Sequence, residues 1–473
     1  MTKQAKYLLT LLLFSSLALY SGAQEPNTTY FMPRIPQMSF MNPAFQPTCN
    51  VYISFPGLSE VNMNLGNNTL AYSDVIFEGP TGDSLITPLH PDADVGNFLN
   101  KLKPTNSIFS EFSTNLFGLG FRAGSGYFTF HVKQRSSLKF SYPKDFVTFL
   151  LQGNEKMKGK NLDMSNFNFF SNHHLEYSLG YAGQIDDKLD FGVRLKYLNG
   201  IANLQSKDFN LQLYTSQSGD SLSLNSDIDM RGSVPAEVTT DSMGYIDQVD
   251  GIKPGVSDLF ANPGIALDFG VAYQITDELE VSASVTDLGF INYSNYVHNY
   301  TVNGQFSFTG VDVSSELNGN GSSDFDPAGQ LADSLKNRIE FAYSDQQFLH
   351  LMGPNIYIGG NYQLSERVDF GVVSRTRFFA GEVHQSFTLS ANTRPIPGVS
   401  FSASYSVMNR AYNNLGVGLG LRLGPFQVYT VSDIISAGLW PENTQAFNLR
   451  FGLNFVFGCN RRARILDDEP MIR

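Results

Sequence analysis

The chain has 473 residues, a net charge of −12, 16% charged residues and 13% aromatic residues. An acidic chain is no natural partner for nucleic acid, and low charge beside abundant Phe and Tyr suits lipid-facing strands. Seven His and two Cys without ligand spacing argue against a metal centre, and nothing past the N-terminus reaches the ~18 apolar residues of a membrane-spanning helix.

Lys3 and Lys6 precede an apolar run at residues 7–19, and Ser21-Gly22-Ala23 offers small residues for cleavage. Residues 1–23 are therefore expected to be a secretory signal peptide, which exports the rest. Residues 24–48 carry five prolines and little charge. Such density opposes helix and central strand, so an irregular segment is expected, lying under a barrel or entering it as a plug. A first strand spans about residues 49–65 with a break at Pro56-Gly57. A long excursion, 66–114, holds a helix candidate at 95–102. Strands at 115–123 and 127–140 turn at Gly124-Ser125. The next excursion, 141–174, holds a helix candidate announced by Pro143.

A hairpin then recurs. Leu189, Phe191, Val193, Leu195 and Tyr197 follow a turn at Asp186-Asp187-Lys188. Ile265, Leu267, Phe269, Val271 and Tyr273 alternate with Ala266, Asp268, Gly270 and Ala272 before Thr276-Asp277-Glu278. Val368, Phe370 and Val372 follow Ser365-Glu366-Arg367. Alternation of period two makes strands with one apolar and one polar face. At this length, with short turns, it fits strands that cross a membrane. Excursions at 199–263 and 289–353 separate the hairpins. A turn is expected in the first at Gln217–Asp220, and in the second at Asn303-Gly304, a type I′ signal. Asp287-Leu288-Gly289 reads as a loop start or a bulge. Five more strands follow, at 382–392, 399–408, 413–423, 426–431 and 447–457.

The expectation is an all-β fold: a transmembrane antiparallel β-barrel of about fourteen strands at residues 49–458, with short periplasmic turns and long extracellular excursions. A periplasmic tail, 459–473, ends the chain. Membrane lipid is the implied partner and the outer membrane the implied location.

The inward face carries Arg122, His131, Lys133, Arg135, Arg194, Lys196 and Arg450. They form a ligand-binding patch for an anionic headgroup, or an ion-pair network with Glu176, Asp268 and other inward carboxylates. His173-His174 point to opposite faces and make no metal pair. Small residues Ser400, Ser402, Ser404, Gly416, Gly418 and Gly420 leave room inside for a plug or ligand. No phosphate loop or nucleophile elbow is present, so no catalytic residue, enzyme activity or cofactor is assigned, although spacing alone does not exclude a barrel hydrolase. In a closed antiparallel barrel the first and last strands are neighbours. Cys49 and Cys459 therefore meet at the seam in an oxidising compartment and form a disulfide, or stay apart if the register slips.

Asn42-Pro43-Ala44-Phe45, Leu195-Lys196-Tyr197-Leu198-Asn199-Gly200, Ala283-Ser284-Val285-Thr286-Asp287-Leu288-Gly289, Val431-Ser432-Asp433 and Asn448-Leu449-Arg450-Phe451-Gly452 carry a family resemblance. The chain resembles the uncharacterised outer-membrane barrel family of Bacteroidetes, similar in architecture to FadL and PorV barrels. Resemblance to FadL implies fourteen strands, an N-terminal hatch and uptake of hydrophobic small molecules. Resemblance to PorV implies a protein partner in secretion or surface assembly.

Overall fold

A computed structural model describes residues 27–32, 35–79, 82, 84–153, 155–219, 221–240, 246–250, 260–308, 339–408 and 411–459. The expected signal peptide and the tail beyond Cys459 lie outside the described residues. Fourteen strands form one closed wall. They are β1, in two pieces (Val51–Ser54 and Val61–Asn67), β2 (Thr105–Ala123), β3 (Gly126–Pro143), β4 (Asn168–Gln184), β5 (Leu189–Thr215), β6 (Asn262–Gln274) and β7 (Leu279–Tyr293). They continue with β8 (Asn355–Ser365), β9 (Val368–Phe379), β10 (Glu382–Thr393), β11 (Val399–Met408), β12 (Ala411–Leu423), β13 (Phe426–Ser432) and β14 (Ala446–Phe457). Each pairs antiparallel with the next, and β14 pairs with both pieces of β1 to close the ring.

Side-chain parity decides which face meets what. On β6, Ile265, Leu267, Phe269, Val271 and Tyr273 point outward with 38–46% of their surface exposed, while Ala266, Asp268 and Ala272 are buried. A water-soluble sheet hides its apolar face; this wall hides its polar one, as a barrel in lipid must. Phe269→Arg is therefore expected to cost about 2–4 kcal/mol at the bilayer midplane. Arg194→Ala on the lumen face should cost less, because Asp268 keeps Lys196 at 2.9 Å. Denaturant unfolding in lipid vesicles measures both, and the reverse order would invert the assignment of faces.

The strands outrun the sequence expectation at the long-loop end. β2 begins at Thr105, so the first excursion is shorter than 66–114. β5 runs on to Thr215 and turns into a further strand, Leu222–Ser233. The expected turn at Asn303-Gly304 is absent: both residues lie within one strand, Val297–Phe308. Asn303 pairs with Asp227 on one side and Glu340 on the other. Two ladders of cross-strand hydrogen bonds override a local turn preference worth far less. The strand Ile339–Ser344 completes a sheet that projects past the wall.

Residues 27–32 and 35–48 lie in the lumen. Two 3₁₀ turns, Asn27–Phe31 and Pro36–Phe40, are almost wholly buried there. Pro36 starts the second, where its missing N–H costs nothing. Asn27 and Thr28 donate their backbone N–H groups to Asp433 at 2.6 and 3.2 Å. Tyr30 hydroxyl meets Ser282 at 2.8 Å, and Gln37 and Asn454 exchange amide hydrogen bonds of 2.9 and 3.1 Å. The wall makes room with glycine: a side chain at Gly192 would strike the Pro43 backbone, and one at Gly371 would strike the Phe31 ring.

At the short-turn end Val51 pairs with Phe457. Two residues before Val51 and two after Phe457, Cys49 lies opposite Cys459, and the two form a disulfide across the β1–β14 seam.

Candidate ligand-binding lumen

Two chain irregularities build the lumen chemistry. The first is the break in β1, which presents Glu60, wholly buried, to the interior. Glu60 receives Lys133 at 3.1 Å and lies 3.6 Å from Arg450. The second is a bulge in β7. Asp268 on β6 faces the Thr286-Asp287 pair, where the register shifts, and Asp287 takes φ +62°. That conformation is uncommon for residues other than glycine, although Asp tolerates it better than most. The sequence allowed a loop start here; the strand instead continues to Tyr293, because Phe290 to Tyr293 keep partners in the strand Phe348–Leu351.

The bulge turns the Asp287 carboxylate inward. Arg135 donates to both its oxygens at 3.0 Å, Lys196 at 2.6 Å and Asn355 at 3.2 Å. Its backbone N–H donates to Asp268 at 2.8 Å. Arg194 reaches Asp268 at 3.1 Å, and Glu176 lies 3.6 Å from Arg135 and 3.5 Å from Lys196. Charges taken from water at this depth stay charged only when paired and hydrogen-bonded.

Of the seven lumen residues singled out from the sequence, Arg135, Arg194, Lys196, Lys133 and Arg450 converge on these carboxylates. His131 bonds the Tyr52 hydroxyl and packs edge-on against Phe40 of the plug, 4.7 Å between centroids. Phe40 also lies under Lys133 and Arg194, at 4.6 and 5.3 Å. Arg122 stands apart near the short turns, bonded to Gln46 at 2.8 Å and stacked over Tyr127. Sequence reasoning missed Glu60, Glu111, Arg377 and Phe40. The Pro56-Gly57 break was the one available signal for Glu60.

Above the network, toward the long loops, lies a cavity of about 640 Å³. Arg135 and Asp287 border it below. Its outer side is crossed by contacts between strands halfway round the wall from each other. Arg377 on β9 pairs with Glu111 on β2, and Lys139 on β3 with Glu382 on β10 at 2.6 Å. Phe170 on β4 meets Phe379 edge-on, 5.5 Å between centroids. The ring is thus flattened at this end, and the cavity combines aromatic surface with neutral polar groups and with charges paired among themselves or on the wall. No cluster able to hold a metal ion occurs among the described residues.

Solved structures of similar chain course include a TodX deltaS2S3 mutant monoaromatic hydrocarbon channel, 10% identical, covering 89% of this chain and 94% of its own, TM-score 0.44. Others are the Ralstonia pickettii toluene transporter TbuX, 8% identical over 90% and 94%, TM-score 0.42, and a Pseudomonas aeruginosa FadL homologue, 9% identical over 93% and 100%, TM-score 0.42. Likeness this distant says nothing about a ligand. No curated protein matches the sequence. A family model spans residues 43–433, well over half of the chain, which therefore belongs to DUF5723, a family of unknown function.

Proposed function

We propose that this protein is an outer-membrane channel through which small hydrophobic or amphipathic molecules pass by way of the loop-end cavity once the N-terminal segment moves. One observation carries the reading. The described residues 27–32 and 35–48 contain no charged side chain, and each lumen cation of the network has a carboxylate on the wall itself. The segment is held by rings, hydroxyls, amides, one wall carboxylate, Asp433, and hydrogen bonds from Arg122 and Arg194. Its departure leaves each network cation paired on the wall, and Asp433 is the one buried wall carboxylate that gives up plug donors, Asn27 and Thr28. In this reading Arg135 borders the ligand, and the other six lumen residues hold wall and plug.

Deleting residues 24–48 is expected to raise single-channel conductance in planar bilayers. Unchanged conductance in a variant that still inserts would count against the plug. A second reading, a scaffold for secretion or surface assembly, is favoured by the sheet of Leu222–Ser233, Val297–Phe308 and Ile339–Ser344 that projects from β5. Co-purification separates them: a stoichiometric protein partner supports the scaffold, bound small molecules support the channel.

A further inference from the structure

The cavity contains two polar groups that nothing in the ion network employs. Ser113 on β2 and His174 on β4 are each 3% exposed and line it. Among the described residues neither Ser113 Oγ nor His174 Nε2 has a hydrogen-bond partner. Buried polar groups in native proteins are nearly always satisfied, so two such groups facing one cavity call for an account.

The state of His174 follows from its neighbours. Tyr293 hydroxyl donates to Asn172 Oδ1 at 2.5 Å, and Asn203 Nδ2 donates to the same oxygen at 3.2 Å. Asn172 is thereby oriented with its amide nitrogen toward His174 Nδ1, 3.2 Å away. An N–H donor at Nδ1 requires that nitrogen to be bare, so the ring proton sits on Nε2. His174 thus holds an N–H donor, and Ser113 a hydroxyl able to donate or accept, within the cavity wall, each polar atom buried there.

Register sets their spacing. Ser113 lies opposite Arg135, and Arg135 opposite His174. The two groups therefore share one level of the wall, about 10 Å apart along it, two strand spacings. Arg135 between them is engaged by Asp287, Arg377 and Lys139 by Glu111 and Glu382, and Lys207, half-exposed at the cavity, by Asp229 at 3.3 Å. An incoming carboxylate would have to displace a wall carboxylate from each cation. Phe170 and Phe379 add ring surface at the outer side.

We infer that the loop-end cavity is a binding site for a neutral aromatic or alicyclic compound bearing a hydroxyl toward each end, one accepting from His174 and the other bonded to Ser113. This deepens the channel reading by naming the compound class, and it discriminates against anions of the same size. A cavity of about 640 Å³ is within the range of small-molecule sites.

The test uses the full chain in lipid nanodiscs and three probes of one shape: a biphenol with a hydroxyl on each ring, biphenyl, and biphenyl dicarboxylate. The biphenol is expected to bind about tenfold more tightly than either other probe, the gain from satisfying buried polar groups. Ser113→Ala and His174→Phe should each weaken the biphenol by about fivefold and leave biphenyl unchanged, and His174→Gln, which keeps a donor, should restore most of the loss. Tighter binding of the dicarboxylate, or biphenol affinity indifferent to both Ser113→Ala and His174→Gln or Phe, overturns the inference. Flux into proteoliposomes keeps the two claims apart. Binding without flux sinks the channel and leaves the site; flux without the biphenol preference does the opposite.

Discussion

Asp287→Ala is expected to destabilise the barrel by about 3–5 kcal/mol, the cost of removing one partner from a buried ion pair. The variant deprives Arg135 of its two 3.0 Å bonds and Lys196 of its 2.6 Å bond. Arg135 is left with Glu176 at 3.6 Å alone, while Lys196 keeps Asp268 at 2.9 Å and Glu176 at 3.5 Å. Alanine also tolerates φ +62° less well than aspartate, so the bulge itself is strained. The measurement is denaturant unfolding in vesicles. The compensated variant, Asp287→Ala with Lys196→Met, should recover part of the loss, since replacing both members of a buried pair with apolar groups is far less costly than removing one. A loss confined to a few tenths of a kcal/mol would show that the network is not what holds β7 to β3 and β5.

Loss of the seam disulfide, by Cys49→Ser or by reduction, is expected to lower stability by up to roughly 4–5 kcal/mol on the model-dependent loop-entropy account. The bridge closes a loop across a sequence separation of 410, which contains the entire wall. The β1–β14 seam is also where the ladder is interrupted, since Val51–Ser54 contributes four residues before the break at 55–60 and pairing resumes at Val61. Cross-linking there anchors the short piece of that interrupted ladder. The plug precedes Cys49 in the chain and lies outside the closed loop, so the bridge holds the wall shut without tethering the plug inside. Thiol titration of denatured, unreduced protein reads out the bond: two free thiols per chain would end the proposal, and a variant as stable as the parent would show the ladder alone suffices.

The wall was legible in the sequence because a strand obeys parity. Whether Phe269 meets lipid and Asp268 meets the lumen depends only on odd and even positions along β6, and each short turn resets the count. The same parity, carried along the first and last strands, put Cys49 beside Cys459. Closure of an antiparallel ring did the rest. Local signals failed where pairing outweighed them: Asn303-Gly304 was drawn into a ladder on both sides, and Asp287-Leu288-Gly289 stayed in the strand as a bulge.

Parity also told which charges face inward, but not which of them meet. Arg377 finds Glu111 and Lys139 finds Glu382 across the width of the lumen, between strands hundreds of residues or half a ring apart. Periodicity along a strand has no term for the distance across a barrel. That distance depends on how far the ring flattens and on what the N-terminal segment fills. By itself the sequence determined strands that close into a ring with an apolar outer face and a polar interior. Only the tertiary structure decided that the interior cations are matched on the wall, that a segment without charge among its described residues is seated on glycines within it, and that Ser113 and His174 line one cavity together, because each of these is set by contacts across the lumen rather than along the chain.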